Sequence, residues 1–250
     1  MRVVRNVGHI KRRKRAAKRS AILGFLLLMG PFFLISRPNL VLVAWALMLG
    51  GFVAFNTGMQ QIARWAKTPR TDNLLDRELA KFNDKYELFH YVPVGNRVVD
   101  HLLVHPGGLL VITGRDLPGE VVGRGSRWRK RSSPLRRLFA FSGPQLGDPS
   151  KDTREAIALV EQALAANQTE VDVTGAVVFV NPVIRLDSEE TDYEGLLLEE
   201  LPGFVRALPP DESIRPADRD QIRALLTVGD ELELPAQAVA RRPVKRRRAA

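Results

Sequence analysis

Residues 97–115, RVVDHLLVHPGGLLVITGR, decide how the rest of the chain is read. Two apolar runs are separated by Pro106, Gly107 and Gly108, a combination that reverses the chain tightly, so the stretch predicts two neighbouring strands. The first carries Asp100 and His101 in its middle. The second, greasy from Leu109 to Ile112, ends on Thr113, Gly114, Arg115 and Asp116. Strand side chains alternate, so Thr113 and Arg115 share one face and Asp116 points to the other.

Working outward, YELFHYVPV (86–94) has the β-rich composition of a third strand. Before it, Leu75, Leu79, Phe82 and Tyr86 fall at helical spacing, which predicts an amphipathic helix starting near Thr71 or with Asp72 as its cap. Downstream, GEVVGRGSRWRKR (119–131) supplies one or two short edge strands. Residues 150–168 form the clearest helix, and VTGAVVFV (173–180) is a buried strand. Then come a short strand or turn and two further helices, with a Pro/Ala/Arg-rich tail from about 229. The order of helix, three strands, helix and strand makes an α/β fold: a mixed sheet flanked by helices.

Ahead of this domain, residues 20–36 and 38–63 are free of charge apart from the intervening Arg37. A bilayer core needs about 20 apolar residues, so 20–63 read as a transmembrane hairpin with spans near 20–36 and 39–60 and with Pro31 kinking the first. A basic start before an apolar run also fits a cleaved signal peptide, but the second apolar segment argues against it.

The net charge of +10 is unevenly distributed. Residues 1–19 and 241–250 hold nine and six Lys/Arg and no acid, and Arg37, Arg64, Lys67 and Arg70 add four. Residues 71–240 therefore keep 19 basic against 28 acidic side chains. An acidic domain excludes a wholly basic nucleic-acid surface. It leaves one local anion-binding stretch, 123–137, from which Arg124, Arg127, Arg129, Lys130 and Arg131 are the anion-binding candidates, with Trp128 among them for stacking. Basic residues at both hairpin ends and only Arg37 at its turn predict an inner or plasma membrane protein with two spans and both termini in the cytoplasm. The expected partners are membrane lipid, through the hairpin and the basic termini, with nucleic acid and protein partners left open. The chain has no cysteine, so neither disulfides nor thiolate metal sites exist.

The divisions expected are a basic cytoplasmic N-terminus (1–19), the hairpin (20–63), a soluble domain (71–228) and a basic disordered tail (229–250). The soluble part resembles the NERD family, the nuclease-related domains with a restriction-endonuclease-like PD-(D/E)XK fold, over roughly residues 71–208. The resemblance rests on the Asp-His pair of one strand, the Gly turn, and a next strand that in the family ends in Ile-Glu-x-Lys. It implies that Asp100 is the first metal-holding carboxylate, that Thr113 stands where the family has Glu, and that Arg115 stands where it has Lys. Glu78 or Asp76 matches the family's Glu on the opening helix. Asp148 and Asp152 of DPSKD match the polar positions of its Asn-Pro-x-x-Gln.

Phosphodiester cleavage needs a divalent ion held by oxygen ligands and a group that handles the attacking water. Threonine is a poor substitute for a carboxylate, and arginine, always protonated, cannot act as a base. The degenerate positions Asp100, Thr113, Arg115 and Glu78 thus favour binding or interaction over catalysis, with no cofactor. The competing reading is a Mg²⁺-dependent nuclease with Asp100 as metal ligand, Glu78 or Asp116 as its second carboxylate, Glu120 as a further migrated candidate, and Arg115 as charge stabiliser. A third is a purely structural membrane protein. His101 and His105 lie about 13 Å apart on an extended strand, too far to share one ion, and are expected to be structural or surface residues.

Overall fold

The computed structural model describes residues 1–34, 36–131, 144–209, 216–227 and 232–233. The chain enters the sheet at once: Arg2–Asn6 form strand β1, followed without a break by helix α1 (Val7–Met29). A 3-10 turn at Gly30–Phe33 places Pro31 in its first positions, a second spans Pro38–Leu40, and helix α2 returns over Val41–Trp65. The basic N-terminal segment 1–19 is thus divided between a strand and a helix. The basic run Lys11–Arg19 lies along α1, on the domain side of the apolar part.

The two helices pack through small residues. A Cβ on Gly24 would collide with the backbone of Phe55, and one on Gly58 with the backbone of Ala21, so glycine is needed at both crossings. Ala17, Ala21 and Ala44 are buried in the same seam, the pattern by which helices associate where no hydrophobic effect drives them. Their outer faces stay bare: Phe33 and Leu42 are 84% exposed, and Ile22, Leu23, Trp45, Leu49 and Phe52 also project outward. Both helices are long and apolar enough to cross a membrane.

The domain then builds from α3 (Thr71–Leu79), β2 (Glu87–Val94), β3 (Arg97–His105), β4 (Gly108–Arg115), β5 (Gly119–Gly125), β6 (Arg127–Arg131), α4 (Pro149–Ala166), β7 (Val173–Phe179), β8 (Ile184–Thr191), β9 (Glu194–Leu197), α5 (Leu201–Ala207), α6 (Pro216–Leu226) and β10 (Leu232–Glu233). The main sheet runs β10-β1-β2-β3-β4-β7-β9, and a second, three-stranded sheet runs β6-β5-β8. The main sheet is mixed: β2, β3 and β4 are antiparallel, while β1 joins β2, and β7 joins β4 and β9, in parallel. One face buries Phe89, Leu102, Val104 and Val111 under α4 and α6. The other buries Leu88, Leu103, Leu110 and Ile112 under α3 and α5. Alternate residues of β3 and β4 thus serve opposite cores, which is why both strands read as continuous apolar runs.

The expected α/β architecture is present. The strands β1, β8 and β10 are additions to it. Residues 232–233, expected in the basic tail, pair with β1; residues 229–231 and 234–250 of that tail lie outside the described residues. Thr71 and Asp72 are inside the first turn of α3, whose N-cap is Arg70 with no side-chain cap. The helix ends at Leu79, and Phe82 and Tyr86 meet edge to face beyond it.

Candidate functional site

Asp100, Thr113 and Arg115 come together at the rim of β3 and β4, in a cleft of about 280 Å³ that also takes in Arg64, Asp152 and Glu155. Thr113 and Arg115 share a face, as alternation requires, and both turn toward the start of α4. The local sequence explains why α4 begins there. Asp148 caps it by accepting from the Lys151 amide at 3.0 Å, and Pro149 occupies the first turn, where its missing N–H is harmless.

Each side chain of the trio is already engaged. Thr153 donates its hydroxyl hydrogen to the Pro149 carbonyl at 2.8 Å, so Thr113, 2.6 Å away, must donate to Thr153. Arg115 donates from Nε to the Leu146 carbonyl at 2.8 Å and from Nη2 to the Asp152 carboxylate. Asp100 accepts from Arg64 Nη2 at 2.6 Å. Arg64 sits in the last turn of α2, so the apolar hairpin itself supplies the cation beside Asp100.

Asp116 points away from this cleft, pairing with Lys67 and accepting from Asn181 Nδ2 at 2.9 Å. Glu120 pairs with Arg131. Glu78 lines neither this cleft nor its neighbour; the acid on α3 that turns inward is Asp76, which meets His90 Nε2 at 2.9 Å and also Arg5. A divalent ion at this rim would find the carboxylates of Asp100, Asp152 and Glu155 already paired with Arg64, Arg115 and Arg97, and a Thr113 hydroxyl committed to Thr153. Among the described residues no group of three or more His, Asp or Glu converges to hold a metal. The donor set does not fit Mg²⁺.

Behind the rim lies a buried polar chain. His101 Nδ1 is 2.7 Å from His90 Nδ1, and both rings are sealed from solvent, which makes His101 structural. Burial first, then the neighbouring His90, hold the His101 pKa down from 6.5 to about 3. The unfolded chain therefore takes up a proton below pH 6.5 that the folded chain refuses, and stability falls as pH drops through that window. For His101 alone the loss between pH 7 and pH 5 is about 2 kcal/mol. Urea unfolding of a His101→Asn variant is expected to show a correspondingly flatter pH slope. His105 is likewise buried, with its pKa lowered by burial, and accepts from the Gly107 amide at 3.2 Å.

Tyr91, opposite Asp100, adopts φ +56°, a strained value for a bulky residue, and drops out of the strand ladder. Its ring lies between His101 and the hairpin, with Trp65 at 5.1 Å and His9 at 6.0 Å. Together with Ile10 these rings form a small core that docks α1 and α2 on the sheet.

Residues 68–180 match the family model of the nuclease-related domain. This segment is a NERD domain. No curated protein and no solved structure matches the chain. The NERD segment holds β2 to β7, and with them Asp100, Thr113 and Arg115; β1 and the hairpin precede it.

The anion-binding candidates fall on the second sheet. The Gly125-Ser126 turn closes the hairpin of β5 and β6, with Gly125 at φ +54°. Register sets Arg127, Arg129 and Arg131 on the outer face beside Arg124 and Glu120, and the neighbouring β8 adds Asp187 and Glu189. Arg124 pairs with both of those acids and Arg131 with Glu120. Arg127, Arg129 and Lys130 have no ion pair among the described residues. Trp128 is not available for stacking: it is buried against Phe179 and donates Nε1–H to Ser150 Oγ at 2.8 Å. Alternation within β6 carried this signal, since Trp128 is flanked by Arg127 and Arg129, which must then face outward. Arg136 and Arg137 lie outside the described residues. Sequence reasoning missed Arg64 and Thr153. The first is ordinary in a helix flank, and the second is one of several polar residues at a helix start.

Proposed function

We propose that this chain is a membrane-anchored NERD domain that binds or docks a partner and does not cleave phosphodiesters. The observation carrying this reading is the Arg64–Asp100 ion pair, which sets a cation from the hairpin where a nuclease would bring its metal. The Thr113–Thr153 hydroxyl pair and the fixed charge of Arg115 support it from the neighbouring strand.

Membrane anchoring is supported by the bare apolar flanks of α1 and α2. The hairpin leaves the domain at Asn6 and returns to it at Thr71, so both of its ends lie on one side of the bilayer. Lys11–Arg19, Arg64, Lys67 and Arg70 crowd that side while the turn has Arg37 alone, which favours a cytoplasmic domain.

The test is a cleavage assay on the full chain in detergent, with single- and double-stranded DNA and RNA in Mg²⁺ and Mn²⁺. No cleavage above that of an Asp100→Ala variant is expected. Activity lost in Asp100→Ala would sink the proposal.

A further inference from the structure

A second cavity, of about 560 Å³, adjoins the cleft on the side where α2 leaves its apolar course. We propose that it binds one phosphate-bearing anion of headgroup size, presented at the membrane surface. The inference rests on reading α1 and α2 as a membrane hairpin.

Four cations from three places in the chain converge on its wall: Arg64 in the last turn of α2, Lys67 and Arg70 in the connection to α3, and Arg115 at the end of β4. Among the described residues the acids on the wall are Asp116 and Asp152, so the wall itself carries two more cations than acids. The carboxylates of Asp100 and Asp72, which hold Arg64 and Arg70, do not line the cavity. They orient the guanidinium groups from outside it. Arg64 gives one hydrogen bond to Asp100 and Lys67 one to Asp116, so both keep donors for a ligand. Their side chains are 55% and 47% exposed, as a receiving group must be.

Position supplies the rest. The strongly apolar course of α2 ends at Met59, and Gln60 and Gln61 already line the cavity. At 1.5 Å per residue Arg64 stands about 7 Å beyond Met59. The polar layer on each side of a bilayer is roughly 5–8 Å deep, so the cavity mouth lies at headgroup depth. Its volume falls in the range of small-ligand sites, about 300–1,000 Å³. That is more room than a bare phosphate fills and enough for a glycerophosphate. Arginine and lysine together suit a phosphate group, the first through its planar fork and the second as a point charge.

The experiment uses the full chain in dodecyl maltoside, titrated calorimetrically with dihexanoyl phosphatidylglycerol, dihexanoyl phosphatidylcholine, glycerol 3-phosphate and inorganic phosphate. Saturable one-to-one binding of phosphatidylglycerol, absent for phosphatidylcholine and weakened about tenfold in Lys67→Gln and in Arg64→Gln, is the expected result. Equal binding of glycerol 3-phosphate or phosphate, with the same sensitivity to the two variants, keeps the site and assigns it to a soluble phosphate ligand. Absence of saturable binding by any of the anions overturns the proposal, as does unchanged affinity in both variants when circular dichroism shows them folded. Flotation with phosphatidylcholine liposomes reports the hairpin alone. Loss of flotation therefore marks failure of the membrane reading, and flotation without anion binding marks failure of the cavity.

Discussion

Removing residues 1–70 to obtain a soluble domain is expected to leave a chain with no cooperative thermal transition. The deleted part contains β1, which lies between β2 and β10 in the main sheet and buries Val4 in the core shared with α4 and α6. Its loss strips β2 of its parallel partner and opens a long apolar edge, Leu88 to Val92, to pairing with other chains. Arg5 and Arg70 go with it, leaving Asp76 with His90 alone and the buried Asp72 without either of its arginines. A second variant separates this effect from the loss of the hairpin. Joining residues 1–6 to 70–233 through a flexible Gly/Ser linker restores the strand without the apolar helices. It should recover a single melting transition by circular dichroism. A cooperative melt from the simple truncation would show that β1 is dispensable.

The second large effect belongs to Asp72. Its side chain is fully buried, and it receives Arg70 at 2.7 and 2.9 Å while Arg5 Nε lies 3.0 Å away. Arg5 is two residues before α1 and Arg70 five after α2, so one carboxylate holds both feet of the hairpin. Burial alone would raise its pKa. The hydrogen bond and charge of Arg70, with the charge of Arg5, outweigh burial and hold the pKa below the usual carboxylate range. The stabilisation is thus complete above about pH 4 and disappears as pH falls through the lowered folded-state value.

Replacing Asp72 by Ala strands the Arg70 guanidinium and leaves Arg5 to Asp76 alone, with side chains that are 21% and 19% exposed. Breaking a buried ion pair costs about 3–5 kcal/mol, and the remaining solvent access places this one near 3. The expected drop in Tm is roughly 10 °C for a chain of this size. A change within 2 °C would mean that the hairpin feet are held by other contacts.

The parts of the fold legible in the sequence are those whose partners are close along the chain. β3 and β4 are joined by Pro106–Gly108, and α4 announces itself through helical periodicity and the Asp148-Pro149 start. Strand β1 was hidden because RVVRN is short, sits among basic residues and pairs with Glu87–His90, more than eighty positions away. Its apolar pair reads as nothing until the partner is known. β8, with IRLDSEET, buries little and alternates poorly, since it belongs to a small sheet with one solvent face.

The site was half legible. Spacing put Thr113 and Arg115 on one face, and the family resemblance drew Asp152 toward them, where it pairs with Arg115. What spacing could not supply was the convergence of a helix flank on the strand. Arg64 is an ordinary interfacial arginine in one dimension and the partner of Asp100 in three. Asp72 posed the opposite difficulty. An acid at a helix start is usually a cap, and only the positions of Arg5 and Arg70 make it a clamp.

On the reading proposed above, Arg64 and the Thr113–Thr153 pair leave the rim of β3 and β4 with no place for a divalent ion. A calorimetric titration of the full chain with Mn²⁺, beside an Asp100→Ala variant, tests it most directly. No saturable binding and indistinguishable traces for the two proteins are expected. One-to-one binding by the wild type that vanishes in Asp100→Ala would contradict it and make the rim a working metal site.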